Sequence, residues 1–316
     1  MFVKHAVDSA FSEETSVMSL HGELRNIIFD DSPLPVIQYL QGRGLLASEK
    51  TCQRCDSEMR FGSKNSLTDK FIWRCKRKGC KVNISVRDGS YFAKSKLPLS
   101  KLVHCIYLWA LQTSIVQAST QLGVSQQTLV DLYNILREVC SAALLRNQVL
   151  LGGPGRIVQI DESMFAHKCK HHRGRAPQSE VWVFGMVDCT ASPAVGFMQI
   201  VERRNAETLL PIIQRHVRLG TLVYSDQWAA YNNVGNIPGL QHQTVNHSLF
   251  FVDPITGVHT QNIESYWNRC KVKLKQMKGV RRDMLPGYLD EFMWRERAGD
   301  NKFGAVLEEI ARQYAV

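Results

Sequence analysis

The sequence predicts a mixed α/β domain that follows a small cysteine-bearing module and an all-α segment. Three observations carry this. Two close cysteine pairs lie between Cys52 and Cys80, and a helical apolar period runs from Leu99 to Leu145. Beyond Gly152-Gly153-Pro154-Gly155, short apolar strands alternate with amphipathic helices. A length of 316 residues suits two domains and a smaller module, and 44% hydrophobic with 22% charged residues is a globular balance. The longest nearly apolar run, Leu102 to Leu111, contains His104 and is half the length of a spanning helix, which excludes an integral membrane protein. His5, Asp8, Glu13 and Glu14 interrupt the first residues before any signal-like apolar run develops. Nine cysteines, four of them in tight pairs, favour a reducing compartment and a metal over a disulfide framework.

The net charge of +10 is concentrated. Met1 to Glu49 is acidic, whereas Lys50 to Lys101 holds fourteen basic and four acidic residues. A second basic block, Arg269, Lys271, Lys273, Lys275, Lys278, Arg281 and Arg282, has no acidic residue within it. Clustered cations of this kind are either a solvated face or the footprint of a polyanion. Their position beside the motifs below favours the polyanion.

Cys52-Gln-Arg-Cys55 and Cys75-Lys-Arg-Lys-Gly-Cys80 stand nineteen residues apart. Two such pairs close one tetrahedral site of four thiolates, leaving no open position, so the expected ion is a structural Zn2+. Lys70–Arg74 and Lys81–Val86 alternate as short strands, and the whole resembles a zinc ribbon. Cys105, Cys140, Cys169, Cys189 and Cys270 have no ligand spacing and are read as core or incidental residues. Ser100 is the expected cap of a helix bearing Leu102, Val103, Ile106, Leu108, Trp109 and Leu111. A shorter helix, Val116–Leu122, precedes Gly123, and Ser125 caps a third. This is the spacing of a helix-turn-helix, or of an ordinary three-helix packing unit. In the first reading Ser125, Gln126, Gln127 and Thr128, with Asn134, offer short polar side chains to base edges.

Past the glycines, Arg156–Ile160 reads as a strand ending at Asp161 and Glu162. Glu180–Val187 and Ala194–Val201 follow as strands, then a helix capped by Asn205 with Pro211 in its second turn. Thr221–Tyr224 leads to Asp226, His242–Val245 is a fifth strand, and Asn262–Lys278 is a helix with Glu264 in its first turn. Ile263, Trp267, Cys270 and Leu274 mark its apolar side. Three strands in hairpin order, a crossover helix and further strands and helices is the order of an RNase H-like domain. Carboxylates delivered by two strands and a helix suit two Mg2+ ions acting on phosphodiester oxygens.

Ile160-Asp-Glu-Ser-Met-Phe165, His172-Arg-Gly-Arg175, Val181-Trp-Val-Phe-Gly185, Tyr224-Ser-Asp-Gln-Trp228 with Tyr231, Val245-Asn-His-Ser248 and His259-Thr-Gln-Asn-Ile-Glu-Ser-Tyr-Trp267 occur in order. Together they resemble the catalytic domain of Merlin-type Asp-Asp-Glu transposases, and the related bacterial insertion-sequence transposases are similar. The resemblance covers roughly Cys52 to Arg297 and implies a catalytic triad of Asp161, Asp226 and Glu264, with Mg2+ or Mn2+ as the ions. Related bacterial members can have Asn as the third residue, which makes Asn262 a neighbour of the site. Glu162 is expected to support the site from beside Asp161. His247 and His259 match motif positions and either contact phosphate or the metal-bound water or are hydrogen-bonded core histidines. The run His167 to Arg175 looks at first like a metal cluster, but its Lys168, Lys170, Arg173 and Arg175 fit a phosphate-contacting loop better.

The expected organisation is an N-terminal helical region over 1–48, a zinc ribbon over 49–96 and a DNA-binding helix-turn-helix over 97–150. An RNase H-like catalytic domain over 155–300 and a C-terminal helix over 301–316 complete it. The expected function is metal-dependent cut-and-paste transposition in the nucleus on double-stranded DNA: hydrolysis at the terminal inverted repeats, then joining of the 3′ ends to target DNA. Arg173, Arg175, Lys271 and Lys273 are the expected backbone contacts, and a homodimer or larger assembly the expected state, because two ends must meet. The alternative is a domesticated DNA-binding regulator that keeps the fold without cleavage. A structure-specific nuclease would leave the helix-turn-helix unexplained.

Overall fold

The computed structural model describes residues 22, 24–165, 180–191 and 194–316. Two compact units divide the chain. One runs through Val139 and also takes in Asn301–Val316; the other is Cys140–Asp300.

In the first unit, helix α1 (Leu34–Gly42) buries Val36, Ile37 and Leu40. Strands β1 (Met59–Ser63), β2 (Phe71–Cys75) and β3 (Asn83–Ser85) make an antiparallel sheet in the order β1-β2-β3. The alternation of β2 and β3 is visible in the sequence. β1 is not, because Gly62 and Ser63 interrupt its pattern. Register with β2 creates it, setting Phe61 opposite Trp73 and stacking it on Phe71 at 5.0 Å. Asp69 and Arg87 form a buried two-pronged ion pair at 2.6 Å, and Arg87 also donates to the carbonyls of Ser95 and Leu97. Such fully paired buried charges fix the chain path into the helices that follow.

Helix α2 (Leu99–Ala110) starts one residue before the expected cap: Pro98 holds the N-cap position and Ser100 lies inside the first turn. Pro98 supplies the extended backbone that precedes the helix and makes no side-chain cap bond. Helix α3 (Ile115–Leu122) is capped by Ser114 and stopped by Gly123 at φ 59°, a left-handed conformation that suits glycine. Helix α4 (Gln126–Arg146) begins with the Ser125 hydroxyl accepting from the Thr128 amide at 3.1 Å. Cys105, Leu108, Ala118, Leu122, Val124 and Leu129 form the core among these helices.

The second unit is a mixed α/β fold around a five-stranded sheet ordered β6-β5-β4-β7-β8: β4 (Ile157–Met164), β5 (Trp182–Asp188), β6 (Val195–Val201), β7 (Leu222–Asp226) and β8 (Gln241–Val245). β4, β5 and β6 are antiparallel neighbours; β7 and β8 join parallel to β4. β4 does not end at Ile160. It continues through Asp161 and Glu162 to Met164, because β5 keeps pairing with it as far as Trp182. The polar run Asp-Glu-Ser hides that continuation in the sequence.

Helix α5 (Ala206–His216), capped by Asn205, and the turns at Ala229–Tyr231 and Val234–Asn236 accompany one apolar cluster, which includes Val158, Ile160 and Phe184. Helices α6 (Gln261–Gln276) and α7 (Leu285–Arg297) pack in a second cluster with Val183, Val187 and Met198. Successive strand residues alternate between these two layers. Helix α8 (Lys302–Gln313) lies in the first unit, where Phe303 meets Tyr107 edge-on at 5.6 Å.

Candidate active site

Strand alternation decides which groups meet. Gln159, Asp161 and Ser163 point from β4 toward α6, and each is hydrogen-bonded to it. The Gln159 carbonyl oxygen accepts from the backbone N–H of Asn262 at 2.9 Å and Ile263 at 3.1 Å. Asp161 Oδ2 accepts from the Trp267 indole at 3.0 Å, and Ser163 Oγ accepts from Lys271 Nζ at 2.6 Å. Two strand residues rise about 6.7 Å and four helix residues about 6 Å, so a helix running along the strand keeps three rungs in step. Gly185, opposite Asp161 on β5, makes room for this: a Cβ there would overlap the Trp267 ring.

Asp226 is the last residue of β7, the parallel neighbour of β4, and its Oδ1 accepts from the Trp228 amide at 2.9 Å. Glu264 is exposed in the first turn of α6. Burial pushes the Asp161 carboxyl up to about 6, with the charges of Asp226 and Glu264 adding to the rise and the Trp267 hydrogen bond opposing it. Three hard oxygen donors whose charges act on one another, one of them poorly hydrated, suit a divalent cation that would relieve the repulsion.

Glu162 takes the other face. Burial raises it to about 7, the Tyr231 hydroxyl lies near enough to favour its charge, and Asp161 and Asp226 oppose ionisation. Arg204 also favours that charge; its guanidinium stacks on Trp182 at 3.6 Å and stands 5.3 Å from Trp228. This Arg–Trp stack was not legible in the sequence, because its members come from two strands' ends and a loop.

His247 shares a hydrogen bond with Thr260 at 2.8 Å, and His259 Nδ1 lies 3.3 Å from the Gln159 amide nitrogen. Both histidines therefore brace the entry to α6. Asn262 contacts Cys189, whose thiol burial pushes up to about 11. Lys271 is half-buried between Ser163 and the Phe165 ring, and Lys273 donates to buried Glu291 at 2.6 Å. Burial would raise Glu291, but Lys273 and Arg295 hold it below the usual carboxylate range. In the first unit Ser125, Gln126 and Gln127 are exposed and Thr128 half-buried. Ser125 and Thr128 bond each other at 2.8 Å, and Gln127 bonds Asp131 at 2.9 Å. Arg173 and Arg175, with the histidine-rich run before them, lie outside the described residues.

Cys52, Cys55, Cys75 and Cys80 bring their sulfurs within 4.8 Å of one another. Among the described residues, no other set of three or more Cys, His, Asp or Glu ligand atoms is that tight; the three carboxylates stand further apart. Cys52 and Cys80 are 3.8 Å apart, Cys55 and Cys75 3.4 Å. The edge of a tetrahedron with bonds of about 2.3 Å is about 3.8 Å, so the donor set fits one soft cation such as zinc. The Arg77 amide donates to Cys75 Sγ at 3.4 Å. Hydrogen bonds from Ser57 hold the Cys55 thiol down to about 6, while lost hydration pushes Cys75 up to about 12.

The chain has known relatives. Residues 151–297 match the ISXO2-like transposase domain. An uncharacterized transposase-like protein of Haemophilus influenzae is 30% identical over 114 residues, which is 36% of this chain and 90% of the relative. The class is thus that of transposases, as the motif order led us to expect. More particularly, the chain belongs with the transposase-like proteins, and its residues 151–297 are of the ISXO2-like transposase type. Among solved structures, a simian T-cell lymphotropic virus intasome in complex with a PP2A regulatory subunit has a TM-score of 0.31 at 16% identity, covering 60% of this chain and 67% of that one. A Mos1 pre-cleavage transpososome (0.25, 12%, 67% and 78%) and a Mos1 strand transfer complex (0.28, 13%, 67% and 75%) are also similar. These scores are too low to bear on the assignment, which rests on the sequence matches.

Proposed function

We propose that this chain is a DNA transposase that cuts phosphodiesters at the ends of its element and joins the freed 3′-hydroxyls to target DNA. The observation that carries the reading is the convergence of Asp161, Asp226 and Glu264 from β4, β7 and α6, with charges that act on one another. The sheet order, three antiparallel strands extended by two parallel ones, supports an RNase H-like catalytic domain.

Asp161, Asp226 and Glu264 would hold Mg2+ or Mn2+. Bound there, two divalent cations supply the positive charge that stabilises the attacking and leaving oxygens of an in-line displacement. The chain's own residues prepare the place. Trp267 fixes the Asp161 carboxylate, Trp228 orients Asp226, and the rungs from β4 hold the Glu264 turn against the sheet. Both chemical steps need only a positioned oxygen nucleophile, so no Ser or Tyr nucleophile is invoked. In the first unit the four-cysteine module reads as a zinc ribbon, and α2 to α4 with the tight turn at Gly123 as a helix-turn-helix. Exposed Gln126 leads its recognition helix, and terminal inverted repeats of double-stranded DNA are its proposed target. A dimer or larger assembly would hold two ends together.

Glu264→Gln keeps the side-chain shape and removes a negative charge. The variant should fold and bind an end-containing duplex as the wild type does, yet lose Mg2+-dependent cleavage by roughly 10² or more. Asp161→Asn and Asp226→Asn should behave alike and combine non-additively, as groups acting together do. Equal cutting by wild type and Glu264→Gln, or none by either on its own element ends, would leave the cleavage-free DNA-binding regulator as the better reading.

A further inference from the structure

We propose that Gln159 is a positioning residue that sets the Glu264 turn against Asp161, so that the carboxylates form one cation site. The inference rests on the metal-dependent reading above and goes a step beyond it. Gln159 is 1% exposed, in a strand whose other fully buried residues are apolar. A primary amide in such a place is costly unless each of its polar atoms is matched, and here they are. The first turn of a helix leaves N–H groups without intrahelical partners, and the N-cap residue of α6, Thr260, makes no side-chain cap bond. Gln159 supplies that cap from across the layer, accepting from both Asn262 and Ile263. Glu264 is the next residue, and Asp161 is two residues from Gln159 on the same face of β4. One side chain therefore links two of the three elements that carry the carboxylates, β4 with Asp161 and α6 with Glu264.

The amide can face only one way. His259 Nδ1 lies 3.3 Å from Gln159 Nε2 and 3.4 Å from the Gln261 amide nitrogen, so the ring nitrogen accepts from both. That directs Nε2 to the ring and leaves the carbonyl oxygen for the helix. A flipped amide would set its NH2 against two backbone N–H groups. The Trp267 and Lys271 rungs keep α6 parallel to β4 further along, but neither lies next to Glu264 in the chain.

The test is a calorimetric titration of the full chain with Mn2+ without DNA, set beside melting curves and Mg2+-dependent cleavage. Gln159→Leu is of similar size and strips all three hydrogen bonds. It should weaken Mn2+ binding roughly tenfold, the loss typical of groups that orient a metal's ligands. The Mg2+ needed for half-maximal cleavage should rise to match, with the rate recovering at saturating metal. Gln159→Glu, kept protonated by so buried a place, retains an acceptor for the two N–H groups and an O–H donor for His259, and should stay close to wild type. Gln159→Asn is one methylene too short, should behave like Gln159→Leu, and serves if the leucine variant does not fold. A merely structural role would lower the melting temperature while leaving Mn2+ affinity unchanged, and that result overturns the proposal. So does a glutamate variant as weak as the leucine one. If the wild type binds no Mn2+, or Asp161→Asn and Glu264→Gln bind it undiminished, the cation site itself is wrong, a failure distinct from that of Gln159.

Discussion

Asp161 keeps its proton to about pH 6 in the folded chain, against 3.8 for the ordinary side chain. Between those values the folded state binds more protons than the unfolded one, so stability falls as pH rises through the window and then levels off. A rise from 3.8 to about 6 corresponds to about 3 kcal/mol. Glu162, raised to about 7 on the opposite face, adds to the same slope. Chelator-treated protein should therefore melt at a higher temperature near about pH 5 than near about pH 7.5. Asp161→Asn should flatten part of that slope and the double change with Glu162→Gln most of it. Added Mg2+ should recover stability at the higher pH by binding the ionised site. Melting curves across pH check this, and a slope indifferent to Asp161→Asn would count against the burial argument. That Asp161 and Glu162 are acidic neighbours is plain in the sequence. That they serve opposite layers is not, since it depends on β4 continuing past Ile160 and pairing with β5.

At the scale of elements, the site depends on how closely α6 approaches the sheet. Gly185 and Gly196 give the Trp267 and Tyr266 rings the space that a Cβ would occupy. Gly185→Ala should displace Trp267 from Asp161 and destabilise the protein by about 1–3 kcal/mol, the usual cost of overfilling a packed core. Cleavage should fall with it, and the tryptophan emission should shift as the indole loses its partner. An alanine variant with unchanged emission and melting temperature would mean that the backbone yields instead. The strands β5 and β6, the Asn205 cap and helix α6 were legible because apolar periodicity and capping chemistry act within a few residues. β1 was not, because its partner Phe71–Cys75 lies across a turn and register, rather than composition, makes it a strand. The basic residues of α6 are expected from the sequence to contact a DNA backbone; in the fold Lys271 donates to Ser163 and Lys273 to Glu291. Charge counting has no sign for a lysine drawn inward by a buried partner.

For the molecule as a whole, the two units should answer differently to loss of metal. Elemental analysis should find one zinc per chain. Removing it with a strong chelator should abolish hydrogen-exchange protection of the β1–β3 amides while the β4–β8 amides keep theirs, since metal binding to a small module is folding energy for that module. Absence of zinc, or unchanged exchange in β1–β3, would refute the four-thiolate site.

By itself the sequence determined the cysteine spacing that can enclose one ion, the helical period with its Gly123 stop, and the motif order that relates the chain to transposases. It also placed Asp161, Asp226 and Glu264 at strand and helix positions. Each of these depends on residues near one another in the chain, where spacing alone carries the geometry. The tertiary structure decided which of the acids face α6, that Gln159 caps the turn bearing Glu264, and that Trp267 orients Asp161. It also decided that the C-terminal helix belongs with the first unit. The physical reason is that a strand changes face at every residue. Its chemistry is therefore settled by pairing register and by the helix laid across it, which join residues about a hundred positions apart.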